Sequence, residues 1–271
     1  MIPAQTEKSA QSPLLGKGEP PAVEIVDPDS ETAWFLICDH ASKRLPQRLG
    51  DLGLTTAERG SHIGWDIGAA DLARRLASVL GASLVLSGYS RLAIDCNRPL
   101  TSPGSVPAVS AGIEIPGNRG LDALQIAQRQ DTLFRPYHEA IARLLDRRRE
   151  RRQPTALLSI HSFTPDFPGQ TRPWHIDFAY NRDRRLAALL LDSFVLERDL
   201  TVGDNLPYSV DDESDHSIPV HGETRGLPLV LIEIRQDTLE RPELVDRWAE
   251  RFTSHLNRLL PQTTRLAATM P

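Results

Sequence analysis

The chain of 271 residues is 40% hydrophobic and 25% charged, with a formal net charge of −5, the proportions of an ordinary soluble globular protein. That charge gives no reason to expect nucleic acid or an anionic membrane as partner. No apolar run approaches the ~20 residues that span a bilayer, and the N-terminus lacks a basic region followed by an apolar stretch, so the cytoplasm is the expected location.

In chain order, residues 1–30 are rich in Pro, Gly, Ser, Gln and Glu without a period and are expected to form a flexible N-terminal arm, followed by one domain over 31–271. Trp34 to Cys38 reads as a buried strand. Asp66 to Leu80 has helical spacing, with Gly81 at the position that ends a helix in the left-handed conformation. Ser83 to Leu86 is a second strand, and Leu92 to Cys96 a third, short one. Cys38 and Cys96 each lie in such a run and read as buried free thiols of a reducing compartment, a disulfide between neighbouring strands remaining open.

Residues 101–120 carry Pro, Gly and Ser and predict a surface excursion. A long helix from about Leu121 to Arg152 follows, with a break expected at Pro136, which has no N–H to donate; the arginine cluster 147–152 reads as its solvated end. Thr155 to Ile160 and Ile176 to Tyr180 are the next strands, with a helix over Arg184 to Leu196. Residues 201–226 are polar and irregular, and a loop of that length suggests a lid over a site. Leu229 to Ile234 is the last strand and Asp237 to Leu260 a closing amphipathic helix. Strands alternating with helices predict an α/β fold: a single three-layer domain whose mixed, largely parallel sheet is covered by helices on both faces.

Three strand ends carry chemistry. Phe35-Leu36-Ile37-Cys38 runs into Asp39-His40, Ala156-Leu157-Leu158 into Ser159-Ile160-His161-Ser162, and Leu229-Val230-Leu231-Ile232 into Glu233. Open α/β sheets bind ligands outside the carboxyl ends of their strands, so two imidazoles and a carboxylate meet there as the parts of a hydrolytic zinc site with its general base. His40 and His161 are the expected ligands. A third comes from Asp66, in the apolar setting of Trp65 and Ile67, or from Glu58, in a polar stretch. Asp39 is expected to point away from His40, because successive side chains on an extended segment alternate. Asp66 as a helix cap and Glu233 as an ion-pair partner of Arg235 are the structural alternatives.

The same residues resemble the zinc carboxypeptidases: His161-Ser162-Phe163 matches their metal-histidine motif, Glu233-Ile234-Arg235 their catalytic glutamate and Asn97-Arg98 their substrate-carboxylate pair. Lys43 departs from the acid expected three residues after His40, so the third ligand lies elsewhere, as in the zinc muramoyl-alanine amidases. From about Phe35 to Leu239 the chain is closer still to the N-formylglutamate amidohydrolase family. That resemblance rests on Asp39-His40-Ala41-Ser42, Gly64-Trp65-Asp66-Ile67-Gly68, Ser90-Arg91-Leu92 with Asp95-Cys96-Asn97-Arg98-Pro99, Ser159 to Phe163, Asn205-Leu206-Pro207-Tyr208-Ser209 and Ile232 to Asp237.

The resemblance implies a zinc-carboxypeptidase-like fold and a Zn²⁺-dependent hydrolase of histidine catabolism that cleaves N-formyl-L-glutamate to formate and glutamate. Glu233 is the expected catalytic base. Arg91 and Arg98, whose planar forks suit carboxylates, are the expected binders of a small anionic N-acyl amino acid, with Asn97 and His221 as further contacts and Arg172 and Arg235 in reserve. His175 is expected to line the crevice, whereas His62, His138, His216 and His255 read as surface or helix-face residues. Two other readings stand beside this one: a zinc amidase for another N-acyl amino acid or a peptidoglycan-like amide, and a non-catalytic binding module. The absence of dinucleotide, P-loop and serine-elbow motifs weighs against nucleotide and serine chemistry.

Overall fold

The computed structural model describes residues 13–167 and 169–268. Its strands, in chain order, are β1 (Val23–Val26), β2 (Trp34–Cys38), β3 (Ser83–Ser87), β4 (Val109–Ser110), β5 (Ile113–Glu114), β6 (Ala156–Phe163), β7 (Asp166–Phe167), β8 (Gln170–Thr171), β9 (Ile176–Ala179), β10 (Val202–Asp204) and β11 (Leu229–Arg235). Seven of them form one sheet in the order β1-β3-β2-β6-β11-β9-β10, while β4–β5 and β7–β8 are separate two-residue hairpins. The central run β3, β2, β6 and β11 is parallel; β1 joins it antiparallel at one edge, and β9 runs antiparallel to β11.

The helices are α1 (Thr56–Gly60), α2 (Ala69–Leu80), α3 (Ala123–Arg129), α4 (Arg135–Glu150), α5 (Arg185–Phe194) and α6 (Pro242–Ala268). Period-two alternation sorts each central strand into two faces. Leu36, Leu158, Ile160, Val230 and Ile232 pack with Leu72 and Leu76 of α2, Phe194 of α5 and Phe252 of α6. The opposite face, with Phe35, Ile37, Leu157 and Leu229, meets Tyr137, Ile141 and Leu144 of α4. A three-layer α/β domain results. On the α4 face the apolar residues of β6 give way along the strand from Leu157 to Ser159, His161 and Phe163, and there the site forms.

Several expectations need correction. Residues 1–12 lie outside the described residues, but from residue 13 the expected arm is packed: Leu14 is buried against Tyr89, Ile94 and Phe134, and Val23–Val26 pairs with β3. Leu92 to Cys96 is not a strand. Its backbone turns, with Ala93 N–H donating to the Ser90 carbonyl and Asp95 N–H to that of Ser105; Leu92, Ala93 and Ile94 fill two small side clusters, and Cys96 joins the core on the α4 face.

The long helix is not broken at Pro136. A π-helical turn over Gln130–Phe134 links α3 to α4, which accommodates the missing N–H by widening the turn just before the proline. The last helix continues through Pro261 to Ala268, because Thr263 and Ala267 still have a buried face to cover. Residues 201–226 hold β10 and a π turn over Ile218–Gly222. Part of this segment is pinned: the Asn97 side-chain oxygen accepts from the N–H groups of His216 and Ser217, and Ser217 Oγ donates to Asp39.

Candidate metal centre and active site

Asp66 sits in a stretch that only its flanking glycines permit. A Cβ on Gly64 would lie 2.4 Å from the Arg59 carbonyl oxygen, and Gly68 has φ +79° with Leu239 against it at 2.5 Å. The turn is tied to the segment just after β2 by Asp66 N–H donating to the His40 carbonyl at 3.0 Å. Asp66 does not cap a helix, since α2 begins at Ala69 behind Gly68 with no side-chain cap. Its carboxylate turns inward instead. Asp66 Oδ2 lies 2.9 Å from His161 Nδ1, 3.3 Å from His40 Nδ1 and 3.3 Å from the Ser162 N–H.

His40, Asp66 and His161 each offer one ligand atom within 4.8 Å of the others, and all three residues are buried. The far nitrogen of each imidazole is held by another carboxylate: His40 Nε2 donates to Asp95 Oδ1 at 2.7 Å, and His161 Nε2 to Asp39 Oδ2 at 3.0 Å. This outer pairing fixes ring orientation and leaves Nδ1 of both rings facing Asp66, the arrangement of metal-ligating histidines. Two imidazoles and a carboxylate are a donor set that would suit a divalent cation such as Zn²⁺.

Electrostatics fit the same reading. Burial opposes ionisation of Asp66, yet the His40 and His161 rings hold its carboxyl far below the usual range. Burial likewise opposes a charge on His161, but Asp39 and Asp66 beside it push its pKa well up. His161 thus lies between two aspartates, and its Nδ1 proton, facing Asp66, is the one a divalent cation would have to displace.

Glu233 stands one strand away, in register with His161 on β6 and with Asp177 on β9. It is 9% exposed, and its Oε2 has no hydrogen-bond partner. Burial raises its pKa to about 8, with Asp66 and Asp177 adding to the rise and His161 and Arg91 opposing it; a cation on the triad would bring it down. Arg235, its structural alternative partner, pairs with Asp237 instead.

His40, Asp66, His161 and Glu233 line one cavity of about 240 Å³, together with Arg91, Asn97 and Arg98. That is smaller than a drug-sized pocket and suits a small metabolite. Arg91 gives Nε and Nη2 to Asp95 Oδ2 at 3.0 and 2.7 Å and keeps Nη1 3.6 Å from Asp66. Arg98 donates to the Ser214 carbonyl and lies 3.7 Å from Asp215. Asn97 donates to Asp215 at 2.8 Å while its oxygen serves His216 and Ser217, so its amide joins two protein segments.

Other sequence-based assignments fall elsewhere. Glu58 is in an exposed capping box with Thr55, away from the cavity. His221 does not line it. Its Nε2 donates to His138 Nδ1 at 2.8 Å, which is free to accept because His138 Nε2 donates to the Cys96 carbonyl. Both rings are buried; of the surface and helix-face alternatives the second holds for His138, on the inner face of α4, and for His255, on that of α6, where it packs on Phe194. His62 lines the cavity, and His175 instead accepts from the Thr201 N–H. Cys38 and Cys96 are free and buried.

The sequence profile of the N-formylglutamate amidohydrolase family matches residues 32–240. The chain belongs to this family. Among solved structures, the Atu2144 gene product of Agrobacterium tumefaciens is 33% identical with a TM-score of 0.89, over 92% of this chain and 98% of that one. The N-formylglutamate amidohydrolase of Ralstonia eutropha JMP134 is 18% identical with a TM-score of 0.63, over 90% and 98%, and shares the fold. No protein of curated function is significantly similar in sequence. No helix among the described residues is long and apolar enough to cross a membrane.

Two acids of this family member escaped assignment from sequence, Asp39 and Asp95. Asp39 does turn away from the ligand cluster, but it ends under His161, accepting also from Ser159 and Ser217. Asp95 was signalled by its position, an acid inside the apolar run Leu92-Ala93-Ile94-Asp95-Cys96. Its pKa is lowered against burial by Arg91 and His40.

Proposed function

We propose that this chain hydrolyses the amide of a small anionic N-acyl amino acid, N-formyl-L-glutamate first among them, with one zinc ion on His40, Asp66 and His161 and Glu233 as general base. The observation that carries the reading is the convergence of two buried Nδ1 atoms on one carboxylate, each ring braced behind by a second acid. A zinc ion held by these three residues would supply a water of lowered pKa and polarisation of the amide carbonyl. Glu233, buried in the same cavity with a free oxygen, accepts the proton of the attacking water and hands it to the leaving nitrogen. Arg91 and Arg98 supply positive charge along the cavity wall, so a substrate carboxylate is held while the amide faces the triad.

Family membership supports the N-formyl substrate, and the cavity's size supports an amino-acid-sized ligand. The test is formate release from N-formyl-L-glutamate by the zinc-loaded protein, beside N-acetyl and N-succinyl amino acids. Turnover of the formyl compound above the others is expected. A preference for another acyl group would move the reading to a different zinc amidase, and no turnover of any would leave a binding module.

A further inference from the structure

Behind one end of the cavity, against the lining residues Phe163, Phe167 and Tyr208, lies a buried cation that neither the metal triad nor Glu233 accounts for. Arg172 is 4% exposed, and its Nε is buried without a hydrogen-bond partner. Its guanidinium lies among three aromatic rings, 5.9 Å from Phe163, 4.5 Å from Phe167 and 4.8 Å from Tyr208. Nη1 donates to the Tyr208 hydroxyl at 2.8 Å and, at 3.4 Å, to the Thr164 carbonyl. Among the described residues no carboxylate forms an ion pair with it, whereas Arg91 has Asp95 and Arg98 has Asp215. A buried charge without a counter-ion is costly, and ring faces offset only part of that cost.

The hydrogen bond from Arg172 decides where the Tyr208 proton goes. The phenolic oxygen accepts from Nη1, so its own O–H must point to another acceptor. No described residue receives it, and Tyr208 is 38% exposed and lines the cavity. Its backbone is held as well, because Asp177 Oδ1 accepts from the N–H of Leu206, two residues earlier. Tyr208 packs edge-on against Phe163 at 6.4 Å. Phe163 follows His161 on the same strand face, so about 7 Å of strand separates this end from the metal triad. His62, also in the lining, has a buried Nε2 with no partner. This end is therefore rich in donors, and among the described residues no carboxylate pairs with its arginine, although the charge of Glu233 reaches Tyr208.

We propose that the Tyr208 hydroxyl, oriented by Arg172, binds the carboxylate of the substrate that lies farthest from the scissile amide. The inference rests on the amidase reading and adds which residues receive the second carboxylate of such a substrate. Tyr208 touches the ligand. Arg172 stays behind the rings as a positioning residue that fixes the direction of the phenolic proton and lends its charge to the acceptor.

The experiment compares N-formyl-L-glutamate with N-formyl-L-norvaline, which has a similar skeleton and no side-chain charge, on zinc-loaded wild type, Tyr208→Phe, Arg172→Met and Arg172→Lys. Loss of a hydrogen bond to a charged group is worth about tenfold to a hundredfold. Tyr208→Phe should raise KM for the glutamate substrate by that much, raise it far less for the norvaline one and leave kcat close to wild type. Arg172→Met should do the same, and Arg172→Lys should recover part of the loss. Equal losses on both substrates, or none, overturn the proposal. If wild type turns over neither compound, the amidase reading fails separately. Calorimetry with glutarate then decides the pocket: weaker binding to Tyr208→Phe supports it, and unchanged binding overturns it.

Discussion

Replacing Asp95 by Asn tests whether His40 is braced as a metal ligand. Asp95 Oδ1 accepts from His40 Nε2 at 2.7 Å and from the Asn97 N–H at 2.9 Å, while Oδ2 accepts from Arg91 Nε and Nη2 at 3.0 and 2.7 Å. An amide has one acceptor oxygen. If it keeps His40 and Asn97, its NH₂ group faces the two Arg91 donors; if it turns to Arg91, it faces the His40 N–H. Either way the negative charge that raises the basicity of His40 is gone. Outer partners of metal histidines are worth about tenfold to a hundredfold in metal affinity, or roughly 1.4–2.8 kcal/mol. Because Arg91 loses its counter-charge at the same time, the upper half of that range is expected. Zinc affinity is measured by competition with a chromophoric chelator, with circular dichroism to verify folding. Unchanged zinc affinity in a folded Asp95→Asn protein would refute the idea that this carboxylate braces a ligand.

Arg98→Ala should raise KM for an acidic N-acyl amino acid by about tenfold or more and loosen the Ser214–Asp215 segment to limited proteolysis; equal losses on acidic and neutral substrates would make it structural alone. Asp177, whose pKa burial raises to about 7 against hydrogen bonds from Leu206 and Tyr208, holds its proton more tightly folded than unfolded. Its contribution is therefore fully present below pH 4 and is lost as pH rises through 7, an effect on the order of a few kcal/mol. Asp177→Asn should flatten that part of the stability profile in urea unfolding at pH 5 and pH 8, and parallel profiles would contradict the assignment. Glu58→Ala should lower the melting temperature slightly through its capping box and leave zinc content unchanged, so a loss of zinc would return the third-ligand role to Glu58.

The buried strands could be read from sequence because each is a short apolar run closed by polar residues, and α2 because Gly81 ends it with φ +60°. The edge strands β1 and β10 could not, since an edge needs no continuous apolar run. Leu92 to Cys96 misled for the opposite reason: its residues are apolar because they fill side clusters, and apolarity alone does not fix a backbone. His40, His161 and Glu233 were legible as strand ends. The roles of Asp39 and Asp95 were not, because they act through contacts with residues 122 and 55 positions away. His221 was misassigned to substrate because its partner, His138, lies 83 residues upstream on α4. No local pattern announces such a pair.

The central claim is that metal binding and proton transfer are divided between the triad and Glu233, and Glu233→Gln separates them. The glutamine keeps the shape of the side chain and removes its basicity. Zinc stoichiometry and formate release from N-formyl-L-glutamate are measured on the same preparation. One zinc per chain is expected to remain while the rate falls by about 10²–10⁴, the usual share of general acid–base catalysis. Near-normal turnover would reduce Glu233 to a structural residue. Loss of zinc would make it a ligand and displace Asp66 from the site, because a catalytic zinc takes three protein ligands and water.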